Sequence, residues 1–218
     1  MTDKPVTDKP LKKTDLMTEA ERDVYHAEKM RKKKEARNKI LATKTQEKGL
    51  LIVHTGKGKG KSTAAFGMVF RALGHGYKVG VVQFVKGVWE TGERDVLMKF
   101  PELVTINAMG EGFTWDVADR QRDLTAARAA WEQAKALISD PENKLVLLDE
   151  LNIVLRYDYL PLEEVVEFLR NKPVDTHVIV TGRNAKDELI EIADLVTEMT
   201  EIKHHFRAGV KAQPGIEF

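Results

Sequence analysis

From residue 50 onward, short runs of apolar residues alternate with longer segments typical of helices. The apolar runs are typical of buried strands, and they lie at residues 50–54, 79–85, 104–108, 145–148, 177–181 and 195–198. The helical segments of this region lie at residues 62–73, 125–138, 162–170 and 187–193. Because buried strands joined by helices usually pair in parallel, the pattern predicts an α/β fold with a mostly parallel sheet and helices on both faces.

The first 48 residues have a different pattern. Residues 1–14 repeat Asp-Lys-Pro among Thr and Lys, a composition that buries too little apolar area to order the chain, so we expect a disordered tail. Residues 18–43 lack Gly and Pro and carry the basic run 31–34, which predicts one charged helix with a thin apolar stripe. This helix is either solvated or an arm that docks on a partner subunit. We therefore divide the chain into a tail (1–14), an arm (15–48) and an α/β domain (49–218).

Composition and charge narrow the classes of function. The chain has 218 residues and no cysteine, which excludes disulfides and thiolate chemistry and is compatible with the cytoplasm. No run approaches the roughly 20 apolar residues of a membrane span, so we expect no membrane partner. Residues 1–49 carry 14 Lys and Arg against 9 Asp and Glu, and the remainder has a net charge of −4. An acidic body argues against a nucleic-acid partner.

A glycine- and lysine-rich loop lies between the first predicted strand and helix of the α/β domain. It resembles a phosphate-binding P-loop, with Thr55 where the general pattern has glycine. In such loops, backbone N–H groups and the helix N-terminus bind phosphate, the lysine reaches phosphate oxygens, and the serine joins a Mg²⁺ shell. The alternative is a lysine-rich surface turn. The sequence predicts an ATP site in a P-loop NTPase-like (RecA-like) fold, comprising Thr55, Gly56, Lys57, Gly58, Lys59, Gly60, Lys61, Ser62 and Thr63.

Two further segments place charged residues at the same predicted edge of the sheet. Asp149 and Glu150 follow the apolar run 145–148, and carboxylates at a strand's carboxyl end are suitable ligands for Mg²⁺. The alternative is that Asp149 caps a helix while Glu150 is solvated. Arg183 follows the apolar run 177–181, where it is either a clamp for a polyphosphate or a surface arginine.

Other chemistry is sparse. No second acid–base pair or protein nucleophile accompanies the loop, and the six histidines show no zinc-like spacing. His204 and His205 are adjacent in the chain, which is more typical of a packed or solvated pair than of a metal site. Phe113 and Trp115 follow two glycines just after a predicted strand. From the residues alone they are either core side chains or contacts for a flat ligand.

Seven motifs, in this order along the chain, resemble those of the ATP:corrinoid adenosyltransferases of the CobA/CobO type. The resemblance runs from about residue 15 to the end, and Thr55 in place of glycine is similar to that family. The motifs lie at residues 54–67, 82–87, 110–115, 148–152, 157–161, 180–183 and 208–216.

The resemblance implies transfer of the 5′-deoxyadenosyl group of ATP to the Co(I) centre of a corrinoid, with release of triphosphate. The cobalt of the substrate is then the nucleophile, and ATP lies reversed relative to ordinary P-loop enzymes. It also implies that residues 56–62 bind phosphates and that Ser62 and Glu150, with Asp149 beside them, lie near Mg²⁺. Phe113 and Trp115 match residues that close over the lower face of the corrinoid and displace its axial ligand.

The resemblance further implies partners: a homodimer whose N-terminal helix covers the active site of the partner subunit, and a reduced flavoprotein as electron donor. Two other classes of function stay open from the residues alone. A kinase or ATPase would use Glu150 as a base or to orient water, and would release ADP. A RecA-like module would bind nucleic acid through the basic helix, with an affinity that falls steeply with salt.

Overall fold

Two units make up the chain, Met1–Glu47 and Lys48–Phe218. The computed structural model describes residues 17–85, 92–108 and 120–217. In the described part of the first unit, helix α1 spans Glu19–Ala42, as the sequence predicts. Thr18 begins it with a capping box: its N–H donates to the Glu21 carboxylate at 2.8 Å, and its hydroxyl accepts from the Glu21 N–H. No residue of α1 is buried.

The second unit is built on a parallel sheet of six strands, in the order β3-β2-β4-β5-β1-β6. Strands β3, β5 and β6 have the predicted bounds, and the ends of the others differ by one or two residues. The strands are β1 (Leu51–Thr55), β2 (Lys78–Gln83), β3 (Val104–Ala108), β4 (Asn143–Asp149), β5 (His177–Thr181) and β6 (Leu195–Glu198).

Seven described helices include the α1 arm and six helices on the two faces of the sheet. In the second unit they are α2 (Lys61–Gly74), α3 (Gly92–Leu97), α4 (Arg120–Ser139), α5 (Leu151–Arg156), α6 (Leu162–Arg170) and α7 (Asp187–Ile192). Helices α2 and α3 pack on strand residues such as Val81 and Leu147, whereas α4 to α7 pack on Val53, Val146 and Val180. Alternate strand residues thus enter opposite cores, which confirms the predicted layers.

Some described elements were not predicted from the sequence, and one helix begins before its predicted start. Helices α3 and α5 have six residues each and were not predicted. The apolar residues of α5 follow the run 145–148 so closely that the sequence does not separate helix from strand there. Helix α4 begins at Arg120 rather than at Thr125. A 3₁₀ turn at His205–Ala208 follows β6. None of the helices in the described ranges has the length and apolarity that a membrane span requires.

Candidate active site

The carboxyl ends of β1, β4 and β5 lie side by side, because these three strands are neighbours in a parallel sheet. His54 pairs in register with Thr181, and Leu148 pairs with Val180. The glycine-rich loop after β1, the acidic residues after β4 and the turn after β5 therefore meet at one edge. This is the edge at which parallel α/β folds bind their ligands.

The loop between β1 and α2 is fixed by the chain that follows β6. The Met199 N–H donates to the Thr55 carbonyl at 2.9 Å, and the Met199 carbonyl accepts from the Gly58 N–H at 2.6 Å. A Cβ atom added to Gly56 would lie 2.5 Å from the Met199 carbonyl oxygen, and one added to Gly58 would lie 2.8 Å from it. Glycine is needed at both positions because another backbone passes this close.

The N–H groups at the end of the loop, where α2 begins, are directed away from the helix. The Gly58 N–H is already donated to Met199, although the sequence places Gly58 among the phosphate-binding residues. Gly60 precedes α2 in the left-handed conformation, with φ 101°, and no side chain caps the helix. The N–H groups of Lys61, Ser62 and Thr63 therefore have no acceptor within the helix and form an anion-binding terminus.

Lys61 places a buried positive charge at this terminus. It is 7 % exposed, and its ammonium group donates to the Gly58 carbonyl at 2.5 Å. Burial lowers the pKa of Lys61, and the neighbouring Glu150 carboxylate opposes that effect. A cation that has lost most of its hydration gains more from a bound anion than an exposed lysine does.

Asp149 is buried at the end of β4, and its carboxylate accepts a hydrogen bond from the Thr181 hydroxyl at 2.7 Å. Burial raises the pKa of Asp149, and the side chains of Thr181, Ser62 and Gln83 oppose the rise. Because Ser62 acts on this carboxyl group, the acidic residue lies close to the first turn of α2. Asp149 is thus a buried member of the site and does not cap a helix.

The Glu150 carboxylate is largely buried, and its surroundings disfavour the charged form. Burial and the adjacent Asp149 carboxylate raise its pKa to about 7, although Lys61 and Arg183 favour the charged form. Its Oε2 atom is buried and accepts no hydrogen bond from the described part of the chain. Its backbone adopts the left-handed conformation, with φ 61°, and its N–H donates to the Thr181 hydroxyl at 2.9 Å. Such strain at a non-glycine residue is typical of functional sites.

The oxygen atoms around Glu150 fit a magnesium ion bound together with a polyphosphate. Carboxylate and hydroxyl oxygens are the hard ligands that Mg²⁺ prefers, and it usually takes one or two carboxylates plus phosphate oxygens. Glu150 offers a buried oxygen that accepts no hydrogen bond from the described residues, and Asp149 with the nearby Ser62 hydroxyl offers further oxygens. Within the described residues there is no group of three His, Cys, Asp or Glu that could hold a metal alone.

The turn after β5 brings Arg183 to the same place, as the sequence predicts. Its charge acts on Glu150, Lys61 and Lys59, so it lies within electrostatic range of all three. A Cβ atom on Gly182 would lie 3.0 Å from the Glu150 Oε2 atom. The Gly182 carbonyl accepts from the buried Asn152 side chain at 2.9 Å, which ties this turn to α5.

The remaining predicted residues are less buried or lie elsewhere. The side chains of Lys57, Lys59 and Thr63 are exposed. Phe113 and Trp115 fall outside the described residues. His204 and His205 stack on each other with ring centroids 4.9 Å apart, as expected of a packed pair.

A cleft of about 530 Å³ opens beside the first part of the loop. Thr55 and Lys57 line it together with Asn184 after β5, Glu198 at the end of β6 and Arg207 in the 3₁₀ turn. The Thr55 hydroxyl accepts from the Ala185 N–H at 3.0 Å, which joins the loop to the turn after β5. The first part of the loop therefore adjoins a space lined by charged and polar side chains.

Three polar residues of the site were not predicted from the sequence. Thr181 and Gln83 end buried strands: Thr181 donates a hydrogen bond to Asp149, and Gln83 lowers the pKa of Asp149. Asn152 fixes the Arg183 turn. The available signal was position: a polar residue that ends an apolar run at the ligand-binding edge of a parallel sheet is a site candidate.

Several known proteins are similar in sequence to this chain over about 90% of its length. The family model for the ATP:corrinoid adenosyltransferase BtuR/CobO/CobP matches residues 47–218. A corrinoid adenosyltransferase of Sinorhizobium sp is 61% identical over 90% of this chain and 92% of its own. One of Pseudomonas aeruginosa is 54% identical over 91% of this chain and 98% of its own. Corrinoid adenosyltransferase CobA of Salmonella typhimurium is 45% identical over 90% of this chain and 99% of its own.

The matched region contains every described residue of the site, from the loop at 55–63 to the turn at Arg183. The geometry of the loop and the acidic pair suits the triphosphate of ATP, which is the substrate that the family name states. The chain therefore belongs to the ATP:corrinoid adenosyltransferase family and is a transferase of that class.

Proposed function

We propose that the protein transfers the 5′-deoxyadenosyl group of ATP to the Co(I) centre of a corrinoid and releases triphosphate, in adenosylcobalamin biosynthesis and corrinoid salvage. The observation that carries the proposal is the buried Lys61 ammonium at the start of α2, beside Glu150, in a chain of this family. A buried cation at a helix N-terminus is suited to a polyphosphate leaving group.

The bond changes explain why the chain needs no nucleophile of its own. The electron pair of Co(I) attacks the 5′ carbon, and a Co–C bond forms. The C5′–O bond breaks, and its electrons leave with the triphosphate. The protein then contributes mainly orientation of the two substrates and stabilisation of the negative charge on the leaving group.

Lys61, Arg183 and the N–H groups of the first turn of α2 are proposed to bind the triphosphate. The nearby charge of Arg183 lowers the pKa of Lys61, so the two cations lie close enough to contact one polyphosphate. Lys57, Lys59 and Thr63 belong to this proposed ATP site at its exposed side. The family's reversed ATP would turn the 5′ carbon towards the corrinoid.

Ser62 and Glu150, with Asp149 beside them, are proposed to hold Mg²⁺ with the triphosphate. When bound, Mg²⁺ offsets the charge that develops on the leaving phosphates. Because the pKa of Glu150 is about 7, this side chain changes protonation near neutral pH, and the charged form is the one that binds a cation.

On the corrinoid side, Phe113 and Trp115 are proposed to close over the lower face of the ring and displace its axial ligand. The support is the resemblance of residues 110–115 to the family motif. A Co(II) corrinoid without an axial donor is easier to reduce to Co(I).

The proposed partners are a second copy of the chain and a reduced flavoprotein that supplies the electron, without nucleic acid or membrane. In the homodimer, α1 would cover the active site of the partner subunit. Exposed apolar side chains on α1, such as Val24, Met30 and Ile40, support a docking role for this helix. The proposed location is the cytoplasm, as expected from the cysteine-free sequence.

Product analysis tests the proposed function directly. The protein is incubated anaerobically with Mg-ATP and a chemically reduced Co(I) corrinoid, and triphosphate is measured against ADP and phosphate. We expect triphosphate, and we expect Lys61→Ala to raise the ATP concentration needed for half-maximal rate at least tenfold while the fold survives. Release of ADP would instead indicate a kinase or ATPase. An unchanged ATP dependence in the variant would exclude Lys61 from the phosphate site.

A further inference from the structure

A carboxylate near the end of the described chain, that of Glu217, contacts the loop between β1 and α2. The Glu217 Oε2 atom forms an ion pair with the Lys59 ammonium group in the middle of the loop. Its Oε1 atom lies 3.2 Å from the His205 Nε2 atom. The Glu217 N–H donates to the Gln213 carbonyl at 2.9 Å, so this side chain is presented from a hydrogen-bonded turn. The Glu217 side chain is only 15% exposed, whereas that of Lys59 is 45% exposed.

Lys59 is one of three cations that lie close together at the proposed triphosphate site. Burial and the nearby Arg183 charge lower the pKa of Lys59, and the charges of both Arg183 and Lys59 lower the pKa of the buried Lys61. The charge of Glu150 raises the pKa of Lys61, and Glu217 forms an ion pair with Lys59. The Glu217 carboxylate is thus already paired with Lys59, one of the cations that a triphosphate would contact.

We propose that the Glu217 carboxylate competes with triphosphate for Lys59: it holds this lysine in the nucleotide-free protein and yields it when phosphate oxygens bind. The inference rests on the proposed function, because it requires the triphosphate of ATP to lie on this loop. Glu217 is a positioning residue that acts through Lys59. Its other oxygen, Oε1, is buried and accepts no hydrogen bond from the described residues, although the His205 ring lies beside it. The return of the carboxylate to Lys59 favours the departure of the triphosphate product.

Binding of inorganic triphosphate by the full-length protein tests this inference. Calorimetric titration is carried out with the native chain and with Glu217→Gln, which keeps the shape of the side chain and removes its charge. Since a half-exposed ion pair contributes little, we expect the variant to bind triphosphate about two- to five-fold more tightly. A gain in affinity is diagnostic, because damage to the fold would weaken binding. Glu142→Gln is the matched control. It removes a carboxylate paired with Lys78 where β2 and β4 begin, at the end of these strands far from the loop. The affinity of this variant for triphosphate should be unchanged.

A double-mutant cycle tests whether Glu217 acts through Lys59. In a Lys59→Ala background, Glu217→Gln should no longer change the dissociation constant of triphosphate. Unchanged or weaker binding by the single Glu217→Gln variant would overturn the inference, as would a full gain in the Lys59→Ala background.

Lys61→Ala separates failure of this inference from failure of the proposed function. If the native chain binds triphosphate and Lys61→Ala weakens that binding, the phosphate site stands whatever Glu217→Gln does. If the native chain does not bind triphosphate, or binds it equally without Lys61, the phosphate site itself is wrong and the inference falls with it.

Discussion

The site buries a lysine and a glutamate close together without a direct ion pair between their side chains. Lys61 and Glu150 influence each other, yet Lys61 donates to a carbonyl and the Glu150 Oε2 atom is unpaired. Both groups are destabilised by burial in their charged forms. Binding of an anion such as phosphate would stabilise the charged lysine, and binding of a metal ion would stabilise the charged carboxylate.

Glu150→Gln should therefore stabilise the ligand-free protein at alkaline pH. The folded-state pKa of Glu150, about 7, lies above its ordinary value of 4.5, so folding favours the neutral acid. Native stability should fall as pH rises from 4.5 through 7, whereas the glutamine variant lacks this loss. The shift corresponds to about 3 kcal/mol, and the advantage of the variant should grow from under about 1 kcal/mol at pH 5 towards that value at pH 8.5.

Denaturant unfolding of both proteins at the two pH values, without nucleotide or Mg²⁺, measures this difference. The same variant should lose most of its activity, since it cannot supply a charged ligand for the metal. A stability difference that does not change with pH would show that Glu150 is not held in a protonated state by its surroundings.

Trp115→Ala should impair adenosylation that starts from Co(II) more than adenosylation that starts from pre-reduced Co(I). The reason is that Trp115 is proposed to displace the axial ligand, which matters only for the reduction step. The two rates are measured under the same anaerobic conditions, with and without the reductase. Equal losses in both assays would contradict the axial-ligand role.

At the scale of secondary structure elements, the site depends on one close backbone approach. The loop after β1 and the chain after β6 exchange hydrogen bonds between Thr55, Gly58 and Met199, and glycine leaves the room for it. This contact fixes the loop and directs the first turn of α2 towards the acidic pair.

Gly56→Ala should disrupt this contact. Its φ of +95° is unfavourable for alanine, and the added Cβ would meet the Met199 carbonyl oxygen at 2.5 Å. We expect a loss of about 1–3 kcal/mol in stability and at least tenfold weaker ATP binding. Gly67→Ala is the control: among the described residues, no atom outside the adjacent chain and the helix's own backbone lies within 4 Å of the added Cβ. It should gain about 0.5–1 kcal/mol of stability and bind ATP normally. Similar ATP affinity in the two variants would contradict the role of the loop contact.

Sequence patterns predict those elements whose signal is local. Strand β5 has the predicted bounds because its apolar run is bordered by polar residues, and the loop is evident from its glycines and lysines. The use of the Gly58 N–H by Met199 could not be predicted, since the two residues are brought together only by the pairing of β1 with β6. The same holds for Thr181, which reaches Asp149 only because β4 and β5 are neighbours.

At the scale of the whole molecule, the two units differ in what they bury. The α/β unit encloses two apolar cores around its sheet, whereas no residue of α1 is buried. A charged helix with exposed apolar side chains is suited to contact another molecule, and in the proposed dimer that molecule is the partner subunit.

Complementation between inactive variants tests this arrangement. Lys61→Ala has an intact arm and a defective site, whereas a chain of residues 48–218 has an intact site and no arm. After the two are mixed and allowed to exchange subunits, the mixed dimer contains one intact site covered by one intact arm. We expect activity well above the sum of the separate variants. No recovery, despite mixed dimers seen by sedimentation, would show that the arm does not act across the dimer.

The most direct test of the account is a single-turnover reaction of the native protein with Mg-ATP and Co(I) corrinoid without oxygen. The absorbance spectrum and the triphosphate released are followed together. The account predicts that an alkyl-cobalt spectrum appears and that one triphosphate is formed for each corrinoid alkylated. A spectrum that stays that of unalkylated corrinoid while ATP is hydrolysed to ADP would contradict it.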